Sequence, residues 1–292
     1  MTTFETPEPI TITVEVGVGD VRVVAEGRTD TLVEVKPSNP SKKGDVAAAE
    51  QTQVEYAAGR LLVKAPKGWR RFAPWGGGGS IDVHVEVPEG SHIRGEAAVA
   101  SLRCSGRLGE CRYKTSVGDI YVEEAGPVEL RAVAGNLTVD RAVDNGEFTA
   151  GSGDVAIGAI EGNAVVKNSN GGTWVGIITG SARVNSANGR VVVDRADAGV
   201  AAKTANGDIR LGEVARGEIV AETAYGSIDI RVRSGVPAWL DISTSFGTVR
   251  NELDDAERPE TGEEAVEVRA QTSFGDVTVA RTLARSHGKK DA

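Results

Sequence analysis

Cysteine is almost missing from this 292-residue chain, where Cys104 and Cys111 are the two present. That excludes a disulfide-framed secreted fold and a zinc site built from four thiolates. Large side chains are scarce too: aromatic residues make up 4% of the sequence, so any core is thin and aliphatic. No apolar run approaches the ~18 residues of a membrane helix. The start, "MTTFETPEPITITVEV", lacks a basic region followed by an apolar stretch, which predicts no signal peptide and a cytoplasmic protein. Positive charge is in deficit, with 33 Lys and Arg against 42 Asp and Glu and a formal net charge of −9. Phosphate backbones and anionic lipid surfaces are read by clustered cations, so nucleic acid is excluded as a general partner and a membrane is disfavoured.

Glycine is in excess, with 37 residues, and it recurs with a period. "SANGRVVVDRADAG", starting at Ser186, returns as "TANGDIRLGEVARG", starting at Thr204. Self-similarity at a fixed interval marks stacked repeats. With the glycine after the "TAN" phrase as anchor, anchors fall at Gly118, Gly135, Gly153, Gly172, Gly189, Gly207, Gly226, Gly247 and Gly275. The interval stays nearly constant as far as Gly226, then widens to Gly247 and widens again to Gly275. Two residues past the anchors stand Ile120, Leu137, Val155, Trp174, Val191, Ile209, Ile228, Val249 and Val277. The apolar side chains alternate with polar or small ones, which marks strands with one buried face. A second glycine often precedes the anchor by nine residues, as at Gly109, Gly126, Gly180 and Gly217, and another alternating run follows it. Three residues before most anchors is Ser or Thr, as at Thr115, Ser186, Thr204, Thr223, Thr244 and Thr272, placed to bond the turn backbone.

Two short strands and two turns per unit, repeated nine times, predict an all-β fold. Helices are nearly excluded from the repeats, where glycine interrupts every nine residues. A hairpin meander has no need of this period, whereas a coil that stacks on itself does. The expected architecture is a β-solenoid of about nine 18-residue coils with two main parallel sheets; a triangular coil of three shorter strands is the alternative. Stacking at about 4.8 Å per coil makes a rod of roughly 40 Å. Residues 1–99 fit the repeat less well and predict an irregular β-rich N-terminal cap, with a short helix in "SKKGDVAAAEQTQ". The repeats are expected over 100–284, interrupted by an acidic loop at 252–265, with a disordered tail at 285–292.

The wording of the repeats carries a resemblance as well. "VVKNSNGGTWVGIITGSARVNSANGRVVVDRADAGVAAKTANGDIRLGEV" and "FGTVRNELDD" resemble the actinobacterial branch of a bacterial β-strand-repeat family. That family is catalogued as domain of unknown function 4097 and often labelled "putative adhesin". The resemblance covers nearly the whole chain and implies a repeated β fold without established catalysis.

Candidate sites carry competing readings. Six Gly-Asp pairs, among them Gly118-Asp119, Gly153-Asp154, Gly207-Asp208 and Gly275-Asp276, suit calcium-binding rolls. Calcium takes six to eight oxygens, and each turn offers one carboxylate, so turn chemistry is the preferred reading. His84 and His92 flank "VEVPEG" and are placed to face each other across a turn, without cysteine or carboxylates to complete a metal site. There is no "GxSxG" elbow with a partner histidine, and no catalytic residue, cofactor site or metal ligand is assigned. Asn188, Asn206, Tyr225, Phe246 and Phe274 share the slot before the anchor, either as a sugar platform or as turn residues and seals for the far coils. Trp174 is expected inside, with Gly176 making room for it. Cys104 and Cys111 are expected as two buried thiols of one coil.

The most irregular passage is "KGWRRFAPWGGGGS". Trp69, Arg70, Arg71, Phe72 and Trp75 are the candidate partner-binding residues, since Trp and Arg concentrate at interface centres. Plugging one end of the solenoid is the structural alternative for these rings. The function expected is a non-catalytic, adhesin-like scaffold or interaction module binding a protein partner not identified by the sequence. A polysaccharide-acting β-helix enzyme, or a self-assembling protein joined through the solenoid ends, are the alternatives.

Overall fold

Period-two patterning with one buried face gives strands along nearly the whole chain. The structure is a computed structural model that describes residues 1–66, 79–253 and 265–282; among them the one helix is α1 (Lys43–Gln51). Most of the acidic loop expected at 252–265, and the tail at 285–292, lie outside the described residues. The chain forms two compact units, Met1–Gly172 and Thr173–Ala292.

The first unit opens with β1 (Thr2–Glu5), β2 (Thr11–Glu26), β3 (Asp30–Pro37), α1, β4 (Gln53–Ala57), β5 (Arg60–Lys64) and β6 (Ile81–Pro88). It continues with β7 (His92–Arg107), β8 (Cys111–Val117), β9 (Ile120–Ala125), β10 (Val128–Ala134), β11 (Leu137–Ala142), β12 (Gly146–Ser152), β13 (Val155–Ile160) and β14 (Ala164–Asn170). From β8 onward each strand pairs in parallel with the next but one. Cys111, Val128, Gly146 and Ala164 are aligned on one sheet, and Ile120, Leu137 and Val155 on the other. This is the two-sheet parallel coil. The long strands β2 and β7 are each one complete coil, parallel from Thr11↔His92 to Ala25↔Gly106. The coil pattern is therefore present before residue 100, which lies inside β7.

On the far edge of β2 lie β5 and β6, also parallel to it. Beyond them the direction changes: β3 is antiparallel to β6, β1 to β3, and β4 to β5. Short antiparallel strands are a usual way to blunt an open edge. Helix α1 is tied down there by Asp45, a buried carboxylate accepting the N–H groups of Asn39 (3.1 Å) and Ser80 (3.0 Å).

The second unit contains β15 (Thr173–Ile178), β16 (Ala182–Asn188), β17 (Val191–Ala196), β18 (Val200–Asn206), β19 (Ile209–Val214), β20 (Gly217–Tyr225) and β21 (Ile228–Val232). Its last strands are β22 (Ala238–Phe246), β23 (Val249–Glu252), β24 (Val266–Phe274) and β25 (Val277–Arg281). Parallel ladders run β15–β17–β19–β21 and β16–β18–β20. Then spatial order departs from chain order. Strand β24 lies between β20 and β22, and β25 between β21 and β23. The last coil in space is 238–252, although 266–281 comes last in sequence. The two widened intervals, Gly226 to Gly247 and Gly247 to Gly275, fall where this exchange occurs.

The anchors are explained by backbone geometry. Gly135 has φ +143° and Gly207 φ +148°, a region close to glycine-only. A Cβ on either would lie 2.1 Å from the carbonyl oxygen of the anchor in the neighbouring coil, Gly118 or Gly189. The Ser/Thr slot has a purpose tied to the same carbonyls. Buried Thr223 donates its hydroxyl to Gly207 O at 3.0 Å, Thr272 to Gly226 O at 2.9 Å, and Thr115 to Ala100 O at 3.1 Å. Each hydroxyl thus satisfies an inward-turned carbonyl one coil away, so it stitches coils together as well as serving its own turn.

One register reading is corrected. Of the two glycines in "NGG", Gly171 carries the positive φ (+135°), so the inward residues are Thr173 and Val175. Trp174 therefore points outward, 42% exposed, and its indole N–H donates to Asp194 at 2.9 Å. With the ring outside, Gly176 makes no room for a core indole. The pairing of a core ring with a glycine occurs elsewhere: Phe148 is fully buried, and a Cβ on Gly146 would meet its ring at 2.5 Å. Tyr113 and Gly95 repeat the relation at 2.9 Å. Cys104 and Cys111 are both buried, free thiols, and their side chains meet. Their mutual hydrogen bond, followed by burial, pushes the Cys104 pKa well up.

Candidate interaction surface

The Gly-Asp motif is taken up by the turns. Asp119 Oδ1 accepts the Asn136 N–H at 2.7 Å, Asn136 Oδ1 the Asp154 N–H at 2.8 Å, and Asp154 Oδ1 the Gly172 N–H at 2.8 Å. In the second unit Asp208 accepts from Ser227 (2.9 Å) and Asp276 from Thr248 (2.8 Å). At these five positions the side chain after the anchor thus caps the equivalent turn of a neighbouring coil. His84 and His92 are not brought together. They stand on opposite edges of β2, His84 level with Arg22 and His92 with Thr11. His84 contacts Glu86 at 3.2 Å, and His92 Nδ1 accepts the Glu110 N–H at 2.7 Å.

Two grooves of the described surface are lined by paired charges. In the first unit, Glu110, Arg112, Glu129 and Glu147 border a groove of about 310 Å³. Arg94 binds Glu110 at 2.9 Å, Arg112 binds Glu110 at 2.6 Å, and Arg131 joins Glu129 at 2.9 Å. The hydrogen bond from Arg94 holds the Glu110 carboxyl below the ordinary range. In the second unit, Arg195, Asp197, Arg216 and Arg233 line a groove of about 490 Å³. Burial works to raise the Asp197 pKa, and hydrogen bonds from Arg233 and Arg195 overcome it, so the net shift is downward. A general acid needs a raised carboxyl pKa, as in a glycosidase. The carboxyls of Glu110 and Asp197 are displaced the other way.

The uncompensated feature lies in the second unit, in the slot before each anchor. Asn206 Nδ2 donates to Asn188 Oδ1 at 2.8 Å, one rung of an amide ladder. Past Asn206 the slot holds Tyr225, then Phe274, then Phe246. Tyr225 and Phe274 stack at 4.9 Å between centroids with planes 2° apart; Phe246 and Phe274 stack at 4.8 Å and 6°. The spacing is that of the coils, so strand pairing itself holds the rings face to face. They do not seal the interior. Tyr225 is 57% exposed and Phe246 67%. Trp239, 56% exposed, stands near the other end of the same terminal strand as Phe246. Exposed rings held rigidly cost little side-chain entropy on binding, which suits them to anchor a partner. A sugar-binding platform needs free ring faces, and stacking leaves Tyr225 and Phe274 presenting edges.

Comparison with known families is decisive, because the family model of Toastrack DUF4097 matches residues 9–291. The chain belongs to that family. This Toastrack chain is an all-β solenoid protein. Among solved structures, a "putative lipid binding protein" from Parabacteroides distasonis is similar at 12% identity, with 96% of each chain covered and a TM-score of 0.41. A "putative adhesin" from Bacteroides fragilis is similar at 11% identity, 95% coverage of each and a TM-score of 0.30. At those scores neither likeness defines a site in the Toastrack chain. No curated protein matches. Among the described residues no helix is long and apolar enough to cross a membrane.

The partner-binding residues expected from the sequence, Trp69, Arg70, Arg71, Phe72 and Trp75, lie outside the described residues. The aromatic slot was visible in the repeat alignment. What the alignment lacked was the spatial order of the last coils, which puts Phe274 between Tyr225 and Phe246.

Proposed function

We propose that this Toastrack protein is a non-catalytic, adhesin-like interaction module that binds a protein partner through the terminal coils of its second unit. The observation that supports the reading is the exposed stack of Tyr225, Phe274 and Phe246. These rings are rigid, apolar and uninvolved in filling the core. Protein interfaces concentrate such residues at their centres, whereas most exposed ion pairs contribute little. The two free, buried thiols at Cys104 and Cys111 support a reducing, cytoplasmic setting.

The test compares the whole chain with a Phe246→Ser/Phe274→Ser variant. Both are used to capture proteins from extract of the native cell, and the captured protein is then purified and its affinity for each measured. Exposed positions should leave the melting temperature nearly unchanged. The expected result is at least a roughly tenfold loss of affinity, the scale of one hot-spot residue. Equal affinity of the two forms would refute the surface assigned here.

A further inference from the structure

We propose that two copies of this chain join end to end through β22 and β23 about a two-fold axis, forming a closed dimer. Phe246 belongs to β22, so the joint shares that coil with the aromatic stack, and the charge variants on β23 test it apart from the rings. It begins with the outer strands of each unit taken by itself. The first unit has a blunted end in β1 and β4, antiparallel strands of four and five residues. The second unit finishes in β22 and β23, each paired on one side only among the described residues. Loss of cover is visible slot by slot. Val268, Ala270 and Val277 are buried in the penultimate coil, while their partners Leu240 and Ile242 are half-buried and Val249 is 42% exposed. An edge of unpaired N–H and C=O groups beside open apolar side chains accepts a further strand.

The occupant follows from symmetry and charge. A head-to-tail contact would have to use the blunted end, and such contacts propagate into filaments. Two terminal coils meeting as equals instead pair antiparallel about a two-fold axis perpendicular to both sheets, and one residue of each strand then faces its own copy. Alternation puts Arg250 and Glu252 on the outward face of β23. Centred on Asn251, the pairing sets Arg250 of each chain opposite Glu252 of the other. Centred on Arg250 or Glu252 it would oppose like charges. In β22, centring on Ile242 sets Asp241 opposite Ser243 and Trp239 opposite Ser245, again without like charges facing. Asn251 is four residues after Gly247 and Ile242 five before it, so the two centres lie at nearly the same distance along the chain from the turn that joins the strands. Unlike charges directly opposite across strands favour this register.

The experiment is sedimentation of the purified full chain over a wide concentration range. The wild type is expected to reach the mass of two chains and stop. Arg250→Glu and Glu252→Arg should each weaken the dimer roughly tenfold or more, since like charges then face one another twice. An equal mixture of the two variants should pair again, because each supplies the charge the other lacks. Arg250 lies 3.7 Å from Asp276 in its own chain, so melting curves accompany both variants. Should either fail to fold, Ile242→Lys at the half-buried end must monomerise the chain with its strand spectrum intact. A wild type that stays monomeric, a species that grows beyond two chains, variants that dimerise as before, or a mixture that fails to pair would each overturn the proposal.

Discussion

Gly207→Ala is expected to destabilise the second unit by more than about 3 kcal/mol. Two costs combine. The φ of +148° is strained for any L side chain, worth about 1–3 kcal/mol. The added Cβ would also sit 2.1 Å from Gly189 O, and that oxygen belongs to a turn fixed by its own ladder. Relief requires moving one coil away from the next and lengthening the bonds that join them. The comparison is Gly235→Asn. Gly235 also has positive φ, +80°, but a Cβ there meets nothing within 4 Å. Its cost should stay near about 1 kcal/mol, because asparagine tolerates the left-handed region. Urea titration of both variants checks the difference. Equal, small losses would mean that the close approach between anchors does not govern stability.

Gly146→Val should cost roughly 1–3 kcal/mol through overpacking, since the new side chain enters the space of the Phe148 ring. Phe148→Leu alone should cost about as much through the cavity it leaves. The double variant is expected to recover most of the loss. Its reason lies one coil away: Val128 and Leu130 occupy the same two slots, aligned with Gly146 and Phe148, and pack without a cavity-filling ring. The coupling should fall at about 0.5–3 kcal/mol in a double-mutant cycle by denaturant titration. Additive losses would show that the glycine and the ring are not partners.

These cases mark where the repeat was legible. The period, the inward apolar slots and the hydroxyl before most anchors are local features, restated from coil to coil. The pairing of a ring with a small neighbour was legible as a principle and misplaced as a register. "NGG" offers two glycines, and sequence alone does not say which adopts positive φ; a shift of one residue turns Trp174 from core to surface. The coil in β2 was hidden for a different reason. Its partner Thr11↔His92 is separated by the whole of β3, α1, β4, β5 and β6, so period counting along the chain cannot reach it. The order of the last coils was hidden likewise. Long spacings signal an irregular connection without saying on which side the chain returns. With chain order assumed, Phe246 is the middle ring of Tyr225, Phe246 and Phe274; with β24 inserted, Phe274 takes that place and Phe246 moves to the terminal coil.

That insertion is the claim on which the interaction surface and the exposed end both depend, and cysteine pairs read it directly. A disulfide requires Cα atoms within about 7 Å, and residues two coils apart are separated by about 10 Å. Tyr225→Cys with Phe274→Cys, and Phe274→Cys with Phe246→Cys, are predicted to cross-link within one chain under mild oxidation. Tyr225→Cys with Phe246→Cys is predicted to remain reduced. Rapid cross-linking of residues 225 and 246, with 225 and 274 left unpaired, would place the coils in chain order and contradict the account.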